Sequence, residues 1–186
     1  CWLQKIWEVE KNLDHDYVYW ATKLACLEMI KTGTTTFNDQ YWFFEDSVRA
    51  ATEMGMRIAT GYDVMDKGDP AEAERQKEQC EVKSAPFLGS DNPCLIYEIA
   101  FHAIYSVSEN MMLWVNDFAR KHDLNIHIHL SETLKEVEDC KAAHGGLTPV
   151  EYLDRLGILS DRVLAAHTLW VSPSDIEILA KRGVHC

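Results

Sequence analysis

Ile126-His127-Ile128-His129-Leu130-Ser131-Glu132 alternates apolar and polar side chains up to its last residues. A period of two is that of a β-strand, and it sends His127 and His129 to one face and Ile126, Ile128 and Leu130 to the other. Working outward, strand-like segments at Gly33 to Asp39, Met56 to Tyr62, Cys94 to His102, Leu124 to Leu130 and Arg162 to His167 alternate with helix-like ones. A further strand begins at Gly183-Val184-His185-Cys186. Regular alternation of this kind predicts an α/β fold on a parallel sheet. Each unit occupies roughly 30 residues, as in TIM-type (β/α)8 barrels, and a chain of 186 residues is too short for eight of them. The expectation is one domain, residues 1–186, forming an incomplete barrel. A complete five-stranded doubly wound domain is the competing architecture, although no glycine-rich phosphate loop supports a nucleotide-binding version.

The helices are punctuated by capping signals. Asp16 is a plausible N-cap for a helix running through Trp20, Leu24, Leu27 and Ile30 to a stop at Gly33. Val48, Ala51 and Met54 share one face of the next, which stops at Gly55, and the charged stretch from Asp66 to Ser84 reads as a solvated helix. Cys94 to His102 is nearly continuous in apolar residues, as a strand buried on both faces would be. Ser108 caps a helix bearing Met112, Val115 and Phe118. Thr133 with Glu136 and Thr148 with Glu151 have capping-box spacing, and Ser172 with Asp175 is an acidic variant. Gly145, Gly157 and Gly183 suit helix C-termini.

Thirty acidic against 18 basic residues give a net charge of -12, which repels a phosphate backbone or an anionic membrane. No run of about 18 apolar residues and no signal-peptide pattern appears, so a soluble, cytoplasmic protein is expected. Cysteines at 1, 26, 80, 94, 140 and 186 form no C-x-x-C pair, which favours reduced thiols. The sequence opens inside an amphipathic helix at Cys1-Trp2-Leu3 and stops as a strand begins, so both ends look cut.

Three strand ends carry a histidine: His102, His129 and His167. In a parallel barrel the C-terminal strand ends meet at one mouth, so residues distant in sequence can share a ligand. One such histidine is ordinarily structural, whereas three at equivalent positions argue for a site. Neutral imidazole on a rigid strand is a good ligand for zinc or iron. Glu132 could move protons between a water and a substrate nitrogen, or it could simply favour the dipole of the helix that follows, and spacing leaves both open.

Phe101-His102-Ala103 with Tyr105-Ser106, the block from His127 to Thr133 with Glu136 and Val137, His144-Gly145 with Thr148-Pro149-Val150-Glu151, Ala165-Ala166-His167, and Gly33 to Asp39 arrive in one order. Together they resemble the amidohydrolase superfamily, in the branch of 5-methylthioadenosine/S-adenosylhomocysteine deaminases, chlorohydrolases and cytosine or guanine deaminases. The resemblance implies barrel strands 2 to 6 and the start of strand 7. It implies a small-molecule heterocyclic substrate, an adenosine-type thioether being preferred, and one divalent metal, zinc or iron. It implies that His129 is a metal ligand, that Glu132 protonates the substrate ring nitrogen and binds substrate, that His167 orients the attacking hydroxide, and that His102 contacts the substrate. His127 matches no fixed position and is left out, and His15, His122, His144 and His185 are assigned to surface, loop or packing roles.

The superfamily's first-strand His-x-His pair and eighth-strand aspartate have no counterpart in this sequence. One ligand cannot hold a metal in a defined geometry, so the chain by itself is expected to be inactive or nearly so. Open edges predict self-association into a homo-oligomer. Tyr41-Trp42-Phe43-Phe44 could stack a purine or pack a helix. A chlorohydrolase, or a non-catalytic metal-binding module using His127 with His129, is the alternative.

Overall fold

The computed structural model describes residues 2–186, so the expectation of a free thiol at Cys1 lies outside the described residues. In chain order the elements are α1 (Trp2–Glu10), α2 (His15–Thr32), β1 (Thr36–Asn38), α3 (Phe44–Met54), β2 (Arg57–Val64), α4 (Pro70–Ser84) and β3 (Leu95–Phe101). Then come α5 (Glu109–His122), β4 (Ile126–Leu130), α6 (Leu134–Ala143), α7 (Pro149–Arg155), β5 (Val163–His167) and α8 (Pro173–Arg182). The strands follow the order β1-β2-β3-β4-β5 in one sheet. The pairings of β1 with β2, β3 with β4 and β4 with β5 are parallel: Thr36 stands opposite Arg57, Ile99 opposite Ile126, and Ile126 opposite Val163. An isolated parallel bridge joins Leu164 to His185. This is the α/β fold expected, a run of TIM-type βα units.

The chain divides into two compact units. The first takes the chain up to Gly61 together with Ser90–Ile96. Its core is Cys26, Ala51, Met56 and Ile58, with Met29, Phe37, Met54 and Leu95 packed against them. The α2 N-cap is Asp14 rather than Asp16: its side chain accepts from the Tyr17 amide at 2.8 Å, while Asp16 sits in the first turn. An acidic residue there still favours the helix dipole, which is why the sequence signal is shared between the two. Trp20 and Leu24 on α2 are 63% and 59% exposed, whereas Val18 and Cys26 are buried. Helical spacing therefore located α2 but not its buried side.

The second unit comprises Tyr62–Gly89 and Tyr97–Cys186. Ile99, Phe101, Met111, Met112, Val115, Ile126, Ile128, Leu130, Val150, Leu153 and Val163 are buried in it. Each large side chain of this kind contributes roughly 1.5–3 kcal/mol of burial free energy before entropy is counted. Ser108, Thr133, Thr148 and Ser172 all cap the helices expected of them, and the capping boxes of Thr148 with Glu151 and Ser172 with Asp175 are complete. The charged helix α4 is not solvated all round. Ala73, Gln76, Cys80 and Ser84 are buried, and the Gln76 amide accepts from Met65 N and donates to Met65 O. The strand β3 becomes fully buried only from Glu98 onward, since Ile96 is exposed.

Candidate active site

All four groups singled out in the sequence lie in the second unit, at the C-terminal ends of its strands. His102 directly follows β3, His129 is the fourth residue of β4, Glu132 stands two residues beyond β4, and His167 ends β5. Parallel pairing brings them together. The His129 ring centroid is 5.1 Å from that of His102 and 5.3 Å from that of His167. His167 Nε2 lies 3.8 Å from Glu132 Oε1, both side chains being about a third exposed.

Backbone geometry at this end is unusual. Ser131, His167 and Thr168 have φ of 52°, 75° and 45°, a left-handed region that residues with a Cβ rarely adopt. Hydrogen bonds hold these turns together. Thr168 N donates to Leu130 O at 2.9 Å, and Ser131 O accepts from Leu169 N at 3.2 Å and from Trp170 N at 2.9 Å.

The tautomers of two histidines follow from their partners. His129 Nδ1 is 3.0 Å from His102 O, a group that can only accept, so Nδ1 carries the proton and Nε2 keeps its lone pair. Ser106 Oγ donates its one proton to Ala103 O at 3.1 Å, so at 2.7 Å it accepts from His102 Nδ1. His102 therefore also presents a bare Nε2. Burial, together with the neighbouring His129 and Lys67, pushes the His102 pKa down to about 4. Burial, with His127 and His167, also lowers that of His129. Both rings are thus neutral at pH 7, the state that can ligate a metal or accept a hydrogen bond.

This geometry fits a metal at His129. A ligating histidine typically gives its other ring N–H to a backbone carbonyl, which fixes the ring and raises its basicity. Among the described residues, however, no group of three or more His, Cys, Asp or Glu is disposed to hold an ion. His129 fits as a single ligand.

His127 shares the His129 face, as the strand period requires, but it is buried with Glu98, Nδ1 to Oε1 at 3.4 Å. His185 is exposed, and the other three histidines have packing partners. His15 lies beside Asp46 and Phe43, His122 against Phe118, and His144 stacks on Tyr152. Tyr41 and Trp42, in the first unit, are exposed, while Phe44 is buried. Sequence reasoning missed the parts played by Ser106 and Glu136. Ser106 sets the His102 tautomer. Glu136 is buried and accepts from the Ser131 and Glu132 amides at 2.9 and 2.8 Å. Both residues stand inside the quoted motifs, yet nothing in their spacing names these partners.

Residues 2–186 match the Amidohydrolase family. The chain is 45% identical over 184 residues to a 5′-deoxyadenosine deaminase of Methanoregula boonei, covering 98% of this chain and 41% of that protein. It is 44% identical over 186 residues to a 5-methylthioadenosine/S-adenosylhomocysteine deaminase of Thermococcus sibiricus, covering 98% and 43%. Among solved structures, an adenosine deaminase from Xanthomonas campestris with bound zinc superposes with a TM-score of 0.82 at 30% identity, over 100% of this chain and 43% of that one. The chain thus spans less than half the length of the relatives it matches. Among the described residues, no helix is long and apolar enough to cross a membrane.

Proposed function

The chain belongs to the amidohydrolase family, and from that premise we propose that it supplies the proton-handling part of a hydrolytic deaminase acting on an amino-substituted purine nucleoside. The 5′-deoxyadenosine, 5-methylthioadenosine and S-adenosylhomocysteine deaminases among its relatives support that substrate class. The observation that carries the reading is the convergence of His102, His129, His167 and Glu132 from three parallel strand ends.

In this reading His129 Nε2 would be one ligand of a divalent metal, zinc or iron. When bound, such a metal makes water a competent nucleophile near neutral pH. The Glu132 carboxyl delivers a proton to the ring nitrogen beside the carbon that bears the amino group. His167, 3.8 Å away, orients the attacking water by hydrogen bonding. The His102 Nε2 lone pair accepts from a hydroxyl or amino donor of the substrate. Water oxygen then replaces the amino group, which leaves as ammonia. A cytoplasmic location and self-association belong to the same reading. The exposed apolar side chains Trp20, Leu24 and Leu27 support self-association, which size-exclusion chromatography tests directly.

The functional test uses a chimaeric protein in which this chain replaces the matching residues of the Methanoregula boonei deaminase. Stoichiometric zinc in the chimaera, lost in His129→Ala, together with ammonia release from 5′-deoxyadenosine, is the expected result. Chloride release from a chlorotriazine without any ammonia release would favour the chlorohydrolase chemistry instead. Zinc uptake with neither reaction would favour a non-catalytic metal-binding module.

A further inference from the structure

Glu136 has the third position of α6, three residues after its cap Thr133. In an ordinary capping box the glutamate at that position returns to the amide of the cap residue. Glu151 does this in α7, accepting from Thr148 N at 2.9 Å. Glu136 meets the Thr133 amide too, and reaches further back. Oε1 accepts from Ser131 N at 2.9 Å and Oε2 from Glu132 N at 2.8 Å, with the side chain 5% exposed. A carboxylate this buried needs such donors, and here they belong to the loop that carries Glu132.

Ser131 is the junction. Its amide is held by Glu136, its φ of 52° is a conformation that requires external support, and its carbonyl accepts from Leu169 N and Trp170 N. Those two amides belong to the turn entered through His167 and Thr168, both also left-handed. A chain of hydrogen bonds therefore runs from one buried carboxylate through Ser131 to the turns that carry Glu132 and His167.

We infer that Glu136 is a positioning residue for both groups, setting the separation of the Glu132 carboxylate from the His167 imidazole by fixing Ser131 between them. Its meaning for catalysis rests on the deaminase reading. The coupling itself does not, so the experiment reads the coupling without activity. A helix cap confined to α6 would hold Ser131 and Glu132 but would leave the turn after β5 to itself.

Amide hydrogen exchange and ¹H–¹⁵N spectra of the chain, wild type against E136Q, separate the two. Glutamine offers one acceptor where two existed and turns an NH₂ group against an amide N–H. Exchange at Ser131 and Glu132 is expected to accelerate about tenfold or more. Leu169 and Trp170 are expected to accelerate about threefold or more and to shift their cross-peaks, with helix content by circular dichroism unchanged. The Thr148 amide, held by Glu151, serves as the control. Acceleration at Ser131 and Glu132 with Leu169 and Trp170 unmoved would overturn the inference. Should E136Q not fold, E136D carries the same test. It keeps both oxygens on a shorter stem and is expected to disturb the same four amides to a lesser degree, whereas an effect restricted to Ser131 and Glu132 again overturns it.

Discussion

Acidifying the protein from pH 7 to pH 4 asks His102 to accept a proton where the fold resists it. Unfolded, the ring protonates near its ordinary value of 6.5; folded, burial beside His129 and Lys67 holds it neutral until about pH 4. Between those values the unfolded chain binds more protons, so stability is complete above 6.5, falls as pH drops through the window, and levels off below 4. Each pH unit in the window is worth about 1.4 kcal/mol. Allowing for partial exposure of the ring, His102 alone should withdraw about 2–3 kcal/mol by pH 4. Urea unfolding of wild type and His102→Gln at pH 7, 6, 5 and 4 measures this, because the carboxylates titrating near pH 4 are common to both proteins. The two stability profiles should converge by about 2–3 kcal/mol on acidification. Parallel profiles would refute the burial argument.

Two further perturbations test how the site is framed. Asp66, 1% exposed after β2, accepts from Ser108 N at 2.8 Å and from Ser108 Oγ at 2.5 Å, tying that strand end to the α5 N-terminus. Asp66→Ala leaves the Ser108 amide without that partner and should cost about 3 kcal/mol in urea unfolding. Gly183 ends α8 at φ 72°, and a Cβ there would stand 3.3 Å from Asp161 Cβ. Gly183→Ala should therefore cost about 1–2 kcal/mol, read as a fall of several degrees in Tm.

Much of this arrangement was legible in the residues because the signals were local. The period-two run at Ile126 to Leu130 named a strand and its faces, and Ser108, Thr148 and Ser172 each cap by a contact within three residues. What was not legible depends on partners distant in the chain. Trp20, Leu24 and Leu27 have helical spacing, but whether that face is covered depends on what packs there, and α2 buries Val18 and Cys26 instead. Glu136 has capping-box spacing, and the reach of a glutamate side chain allows it to meet the two amides before the cap as well as that of the cap residue. The convergence of His102, His129 and His167 was inferred from parallel topology, while their tautomers depend on Ser106 and on a backbone carbonyl that no sequence pattern reveals.

The most direct measurement is the rate of ammonia release from 5′-deoxyadenosine by the chimaera, compared with Glu132→Gln at equal zinc content. Loss of the proton donor should lower kcat by about 10²–10⁴-fold without loss of metal. A Glu132→Gln protein that turns over at the parental rate would contradict the assignment of proton transfer to this carboxylate.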